Sequence, residues 1–269
     1  MAPINYIIVG SGVFGASTAL YLIRKYPKAR ICLVDRNAFS APTRVAASWD
    51  WNKVVRADYN DIVYTKMALE ARDLWKDDPL WNPFYHESGI YWISATGFAK
   101  QVLENFDKLG VKAELFSYPV EEARSHYAGI FKDADYTGIK EVLVNKTSGW
   151  ADAKDVLQKV IETAVELGVE YIEAEVTSLA FEAGNGNCKG VITQTGETVV
   201  AERTILCTGA FTAKLLADSA PERTTLHAGD RIVAAAVAEA IAPLNSEQIK
   251  TFSSMPVAIQ EVPAEKGQF

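Results

Sequence analysis

The feature that most constrains the fold is a cluster of glycines between two short apolar runs near the N-terminus. Residues 7–9 read IIV, residues 10–15 read GSGVFG, an apolar stretch typical of a helix follows, and a second apolar run at 31–34 ends at Asp35. A strand, a glycine turn, a helix, a second strand and an acid, in this order, are the pattern of a β-α-β unit that binds a nucleotide diphosphate. The sequence therefore predicts a dinucleotide site where the first helix begins.

Each residue type in this turn has a physical role. We expect Gly10 to let the chain turn sharply, Gly12 to let a diphosphate approach the backbone, and Gly15 to let the helix pack closely on the strand. The unpaired N–H groups and the positive dipole at the helix start would then face the phosphates. Asp35 follows Gly15 by 20 positions, where a carboxylate can accept hydrogen bonds from ribose hydroxyls.

The motif leaves three questions open. A glycine turn between a strand and a helix also occurs without a ligand, although the flanking strands, helix and acid argue against this interpretation. Arg36 could meet a 2′-phosphate, but Asp35 would repel such a group, so an unphosphorylated ribose is favoured. The glycines alone do not separate FAD from NAD.

Composition narrows the class of protein further. The 269 residues are 49% hydrophobic and 23% charged, with a net charge of −7, which suits a soluble globular protein of one or two domains without a nucleic-acid partner. Three cysteines without CxxC spacing predict free thiols and a reducing compartment, and three separated histidines predict no metal site. Neither a signal peptide nor a membrane helix is evident. We therefore expect a cytoplasmic protein without a membrane partner; a full-length relative could be peroxisomal, but no such signal is present.

Apolar spacing divides the chain into elements. It predicts helices at 61–77, 97–109, 119–127, 152–167 and 211–216, and strands at 89–94, 142–145, 170–172, 176–181, 190–194, 197–200 and 203–207. Residues 229–242 fit a strand or a helix, and residues from 243 onward look polar and irregular. The dinucleotide-binding domain is thus split into 1–50 and 150–220, and a mixed α+β domain occupies 51–149 and 221–269. This layout favours a two-domain flavoenzyme over a simple nicotinamide dehydrogenase.

Five local matches resemble the FAD-dependent amine oxidoreductases of the D-amino-acid oxidase superfamily. They are the glycine turn with Asp35 and the segments 50–56 (DWNKVVR), 85–89 (YHESG), 148–151 (SGWA) and 202–210 (ERTILCTGA). Within the superfamily the chain is most similar to fungal fructosyl amino acid oxidases (amadoriases) and to sarcosine, pipecolate and saccharopine oxidases. Many flavoproteins share the glycine turn, whereas the DxNK and SGWA elements in this order are more specific.

The resemblance implies an α/β fold, in which a Rossmann-like FAD-binding domain of the glutathione-reductase type is interleaved with an α+β substrate domain. It implies that FAD is bound by Gly10, Ser11, Gly12, Val13, Phe14, Gly15, Asp35, Arg36, Ser48, Asp50, Lys53, Val176, Thr208 and Gly209. Lys53 would also be catalytic, as a cation at the face of the flavin. Without the resemblance, a lysine exposed in a loop is the ordinary interpretation of Lys53.

The implied reaction is the oxidation of an amine or amino-acid derivative to an imine, with oxygen as acceptor and hydrogen peroxide as product. Family members are much longer than 269 residues, and no cysteine here matches the family cysteine that links the flavin covalently. We therefore expect the C-terminal part of the substrate domain to be missing. Three interpretations stay open: a truncated chain, a short relative that binds FAD with little oxidase activity, or a chain that self-association or another chain completes. An NAD-dependent dehydrogenase is a fourth, weaker alternative.

Overall fold

The computed structural model describes residues 3–184, 186–235 and 238–261, and the chain forms two compact units. The first unit consists of Met1–Trp51 and Ala153–Glu239, and the second of Asn52–Asp152 and Ala240–Phe269. The strands are β1 (Ile4–Val9), β2 (Ile31–Asp35), β3 (Lys53–Val55), β4 (Tyr85–His86), β5 (Ile90–Ile93), β6 (Leu115–Pro119), β7 (Glu141–Asn145), β8 (Gly149–Ala151), β9 (Glu170–Glu173), β10 (Val176–Phe181), β11 (Cys188–Thr193), β12 (Thr198–Leu206) and β13 (Val257–Gln260). The helices are α1 (Val13–Lys25), α2 (Ile62–Asp77), α3 (Phe98–Lys108), α4 (Val120–Ala123), α5 (Ala153–Glu166), α6 (Thr212–Ser219) and α7 (Ser246–Phe252).

The first unit contains a six-stranded sheet in the order β10-β11-β12-β1-β2-β9. Strands β12, β1, β2 and β9 run parallel, whereas β10, β11 and the start of β12 pair antiparallel. Ile7, Ile8 and Leu33 are fully buried, because parallel strands are covered on both faces and therefore read as continuous apolar runs. Helices α1 and α5 pack against each other. The end of β1 thus lies between the ends of β12 and β2, as in a Rossmann-like unit.

The second unit contains a four-stranded sheet, β13-β5-β7-β6, and a three-stranded sheet, β3-β8-β4. One apolar cluster joins β5, β7 and α3 through Ile90, Val102 and Leu143, all nearly or fully buried. A second cluster packs around Tyr91, whose hydroxyl lies 2.8 Å from that of Tyr136. This unit is therefore mixed α+β, with its strands mostly antiparallel.

The structure corrects two of the predicted elements in the middle of the chain. The helix predicted at 119–127 is only the short α4; a 3-10 turn follows at His126–Gly129, where Tyr127 and Ala128 have positive φ values that end regular helix. The strands predicted at 197–200 and 203–207 are one strand, β12, which pairs first with β11 and then with β1. Because this pairing continues across the polar residues Glu202 and Arg203, the strand does not break there.

Two predictions near the C-terminus are also wrong. Residues 232–235 and 238–242 form neither strand nor helix, and 236 and 237 lie outside the described residues. The side chain of Val233 is 75% exposed. This apolar stretch is not buried, and most of the stability of a helix in a protein comes from packing of its apolar face. The stretch after 243 was expected to be irregular but contains α7 and β13. Helix α7 begins at a capping box of Asn245 and Gln248, and β13 pairs parallel with β5. Residues 262–269 lie outside the described residues.

Candidate functional site

Two of the three glycines in the turn after β1 are required by the packing of the first unit. Gly10 has a φ of +96°, and a Cβ atom there would lie 2.5 Å from the carbonyl oxygen of Cys207. A Cβ atom on Gly15 would lie 1.7 Å from the carbonyl oxygen of Gly10. No side chain fits such distances, so α1, the end of β1 and the chain after β12 can meet only if both residues are glycine.

Gly12 differs, because neither backbone conformation nor packing requires a glycine there. Its φ is −68° and its ψ −175°, which is an extended conformation open to any residue. A Cβ atom would lie 3.4 Å from Ser48 Oγ and 4.0 Å from the Cβ of Ala46, both ordinary contacts. The fold gives no reason for the missing side chain, whereas a ligand that approaches the backbone would.

The start of α1 has the character of an anion-binding site. Gly12 caps the helix without a side-chain hydrogen bond, and no acidic residue lies in the first turn. The N–H of Val13 donates to Ser48 Oγ at 3.0 Å, and the exposed side chain of Phe14 borders the turn. The N–H groups of the first turn and the helix dipole favour a negatively charged ligand at this place.

Asp35 ends β2 beside the glycine turn, as the sequence predicted. Its Oδ2 accepts a hydrogen bond from the N–H of Ser11 at 2.8 Å, and its Oδ1 accepts one from the N–H of Asn37 at 3.0 Å. These two bonds fix the orientation of the carboxylate next to the turn. The guanidinium of the adjacent Arg36 lies 5.0 Å from the centre of the Phe211 ring. The ribose role of Asp35 stays a prediction.

The remaining candidate residues of the first unit lie in three different places. Thr208 and Gly209 follow Cys207, the first residue after β12, whose N–H bonds to the carbonyl of Val9 at 2.8 Å. The carbonyl of Asp50 accepts the N–H of Lys154 at 2.8 Å, at the start of α5. Val176 begins β10, half-buried against the apolar cluster that spans the antiparallel and parallel parts of the sheet. Their contacts with a cofactor stay predictions.

Lys53 belongs to the second unit, where three of the resembling segments meet. It opens β3 and pairs with Ala151 of β8, which also pairs with Tyr85 of β4. A Cβ atom on Gly149 would lie 1.9 Å from the carbonyl oxygen of His86, so the glycine of SGWA lets β4 and β8 approach. The DxNK, YHESG and SGWA elements, which are far apart in the sequence, thus form one three-stranded sheet.

A buried carboxylate network supports this small sheet. Asp58 is fully buried, and its two oxygens accept hydrogen bonds from Asn145 Nδ2 and from Ser148 Oγ, each at 2.8 Å. Burial raises the pKa of Asp58, and the two hydrogen bonds and the charge of Arg56 oppose this rise. Asp58 therefore ties the chain just after β3 to the chain just before β8.

Arg44 is a buried residue of the first unit that no sequence motif marked. Its Nη1 donates to Ser11 Oγ in the glycine turn, and its Nη2 donates to the carbonyl of Ala38 at 2.8 Å and to Tyr171 OH at 3.2 Å. A loop arginine has no periodicity by which the sequence could show its burial. Only the partners that the fold assembles around it make it a candidate site residue.

Comparison with known proteins identifies the family. The family model DAO, described as FAD dependent oxidoreductase, matches residues 5–256. The chain therefore belongs to this family, and the resemblance and the fold class predicted from the sequence are confirmed. FAD is the cofactor of this family, which resolves the choice between FAD and NAD that the glycine turn left open. The absence of a side chain at Gly12 and the first turn of α1, which carries no acidic residue, fit the diphosphate of FAD.

Individual relatives cover nearly all of this chain. L-saccharopine oxidase of Schizosaccharomyces pombe is 30% identical over 266 residues, which cover 93% of this chain and 59% of that enzyme. A fructosamine oxidase from Aspergillus fumigatus (Amadoriase II) has a TM-score of 0.61 at 29% identity and covers 79% of this chain and 48% of that one. A modified fructosyl peptide oxidase from Aspergillus nidulans has a TM-score of 0.74 at 21% identity, with 97% and 60% covered, and supports the fold alone. The chain thus spans about three fifths of the curated relative's length.

Three further features concern the membrane, metal ions and the cysteines. Within the described ranges, no helix combines the length and the apolar character that crossing a bilayer requires. Among the same residues, no group of three or more His, Cys, Asp or Glu side chains is placed to hold a metal ion. Cys32 is buried, Cys207 half-buried and Cys188 exposed, and all three are free thiols.

Proposed function

We propose that this protein is an FAD-dependent oxidoreductase that oxidises the C–N bond of an amine or amino-acid derivative to an imine, with oxygen as acceptor. Membership of the FAD dependent oxidoreductase family supports the cofactor. A saccharopine oxidase and a fructosamine oxidase among the relatives support a nitrogen-bearing small molecule as substrate. The observation that supports the proposal most directly concerns Gly12, where a Cβ atom would meet only ordinary contacts. The fold therefore does not require a glycine there, and a diphosphate that approaches the backbone would explain it.

In this proposal the first unit holds the cofactor. The turn from Gly10 to Gly15 and the N-terminus of α1 bind the diphosphate, and Asp35 accepts hydrogen bonds from the adenosine ribose. Ser48, beside Gly12, and Thr208, at the end of β12, line the same site. FAD held there would supply the redox chemistry: it would accept a hydride from the carbon next to the amine nitrogen, and the two electrons, with that proton and the one released from the nitrogen, would reduce oxygen to hydrogen peroxide.

The second unit contributes Lys53 and the substrate-binding surface in this proposal. A lysine ammonium is a compact positive charge that stabilises negative charge developing beside it. Lys53 starts β3 and is held in register by β8, so its backbone position is fixed by pairing. We infer that Lys53 is the cation that stabilises negative charge while oxygen is reduced.

The proposal includes oxygen and a small-molecule amine as partners, and self-association of the chain. Three free thiols are typical of a protein from a reducing compartment such as the cytoplasm. Sedimentation analysis of the purified protein tests self-association; a single monomeric species at all concentrations would contradict it.

The function is tested by cofactor content followed by peroxide release. The purified protein is loaded with FAD, its flavin absorbance is recorded, and peroxide is measured with N-methyl amino acids, pipecolate, saccharopine and fructosyl amino acids. We expect a flavin spectrum and peroxide with at least one of these amines, and neither with Gly12→Val. Flavin without peroxide from any amine would identify an FAD-binding module without oxidase activity. A colourless protein that takes up NAD would contradict the proposal.

A further inference from the structure

Arg44 is a buried cation without a carboxylate partner. Only 9% of the residue is exposed, and its hydrogen-bond acceptors are two hydroxyl oxygens and one backbone carbonyl, of Ser11, Tyr171 and Ala38. Among the described residues, no carboxylate lies within ion-pair distance of it. A buried charge is costly unless an opposite charge compensates it, and the carboxylate of Asp35 beside the turn bonds to the N–H of Ser11, not to Arg44.

Two further observations describe the surroundings of the Arg44 guanidinium. The Nε of Arg44 is buried and has no hydrogen-bond partner in the described part of the chain. The ring of Trp49 lies 5.5 Å from the guanidinium carbon of Arg44 and 5.4 Å from the Nζ of Lys154. Two cations thus lie near one indole ring, whose face attracts positive charge.

The position of Arg44 identifies the anion that would compensate it. Its Nη1 is hydrogen-bonded to the side chain of Ser11, the second residue of the glycine turn, and α1 begins two residues later. The positive end of α1 and the guanidinium therefore act on the same short turn. Tyr171, which Arg44 also contacts, donates to the carbonyl of Asn37 at 2.6 Å, so the loop after β2 is fixed to the same group.

We propose that Arg44 is a positioning residue for the diphosphate of the cofactor: it holds Ser11 in the turn and places a buried positive charge behind it. The proposal rests on the proposed function and extends it to a residue outside the glycine turn. A diphosphate carries negative charge that the Arg44 guanidinium would attract, whereas adenosine carries none. Arg44 should therefore strengthen the binding of ligands with a diphosphate and leave adenosine unaffected.

Two substitutions separate charge from hydrogen bonding. Arg44→Gln keeps one NH2 donor group, on a shorter side chain, but removes the charge, and Arg44→Lys keeps the charge but removes the planar fork. The apoprotein of each variant is titrated with FAD, ADP and adenosine, and its thermal unfolding is recorded without ligand. Tyr171→Phe is the matched control, because it removes one acceptor of Arg44 without changing any charge.

The proposal predicts a dependence on charge. For Arg44→Gln we expect the Kd for FAD and for ADP to rise about tenfold or more, with adenosine within about twofold. Arg44→Lys and Tyr171→Phe should stay within about threefold of wild type for all three ligands. If Arg44→Gln does not fold, an Arg44→Lys variant with wild-type ADP affinity still supports the proposal, and one that loses ADP and adenosine affinity equally overturns it.

Three results of these titrations would count against the proposal. Equal losses for ADP and adenosine in Arg44→Gln would overturn the proposal, because they would show that Arg44 only organises the loop. Unchanged FAD affinity in Arg44→Gln, with FAD bound by wild type, would overturn this inference alone. Absence of FAD binding to the wild type itself would overturn the proposed function as well.

Discussion

The two units present their motif residues through different kinds of structure. In the first unit the glycine turn, the start of α1 and Asp35 belong to one continuous β-α-β segment, so short-range sequence order already specifies the site. In the second unit the DxNK, YHESG and SGWA segments meet only because β3, β8 and β4 pair across long stretches of chain. The first site is thus a local structure with added long-range support, whereas the second exists only through long-range contacts.

Both units nevertheless contain glycines at which a side chain would collide with the backbone. Substitution of these glycines should cause the largest loss of stability. In the first unit we expect Gly15→Ala to destabilise the protein by about 3 kcal/mol or more, since a new Cβ would meet a backbone oxygen that cannot rotate away. Chemical denaturation measures the loss. Gly12→Ala, three residues earlier in the turn, is the matched control and should cost less than about 1 kcal/mol. Equal losses of unfolding free energy for the two variants would contradict the distinction between a glycine that the fold requires and one that only a ligand requires.

In the second unit, Gly149→Ala should act in the same way but locally. We expect a destabilisation of about 2–3 kcal/mol, because β4 and β8 would be forced apart at His86. Hydrogen exchange measured by mass spectrometry should show lost protection in peptides from 84–92 and 148–152, and unchanged protection in 4–35. Uniform loss throughout both units would contradict an effect confined to the small sheet.

The hydrogen bonds of Asp58 join it to Asn145 and Ser148, which lie far from it in the sequence. Asp58→Ala leaves Asn145 and Ser148 without their acceptor, and we expect a cost of about 2 kcal/mol. Because the pKa of Asp58 is raised in the folded state, its contribution to stability is greatest below the ordinary value of 3.8 and is lost as pH rises through the folded-state pKa.

The variant Asp58→Asn isolates this pH dependence. Its stability relative to wild type should increase as pH rises from the ordinary aspartate pKa through the raised one, since wild type alone loses the contribution of a protonated group. Denaturation of both proteins at a series of pH values measures the difference. A difference that stays constant with pH would show that Asp58 is not the titrating group.

Lys53→Met should have the smallest effect on the fold and a selective effect on chemistry. Lys53 is exposed at the start of β3, so we expect a stability change within about 0.5 kcal/mol and unchanged flavin content. Reoxidation of the reduced protein by oxygen, followed by stopped-flow absorbance, should slow about tenfold or more. Lys53→Arg keeps the charge and is the control. Equal reoxidation rates in all three proteins would remove Lys53 from the catalytic role.

The contrast between the units also explains what the sequence could reveal. The order of β1, the turn, α1 and β2 was predictable because each element has its own apolar period and the glycines mark the junction. Strands of two or three residues, such as β4 and β8, carry no period, and β13 is recognisable only through its pairing with β5. Arg44 and Asp58 resemble ordinary loop residues until the fold buries them, so their partners could not be inferred.

The central claim is that position 12 must be glycine because a side chain there would block the diphosphate of FAD from the backbone. It is tested most directly by titrating wild-type and Gly12→Val apoproteins with FAD while recording flavin fluorescence, and by comparing their unfolding without ligand. The account predicts saturable binding to wild type, none to Gly12→Val, and stabilities within about 1 kcal/mol of each other. Full FAD binding by Gly12→Val, or no binding by a folded wild-type protein, would contradict it.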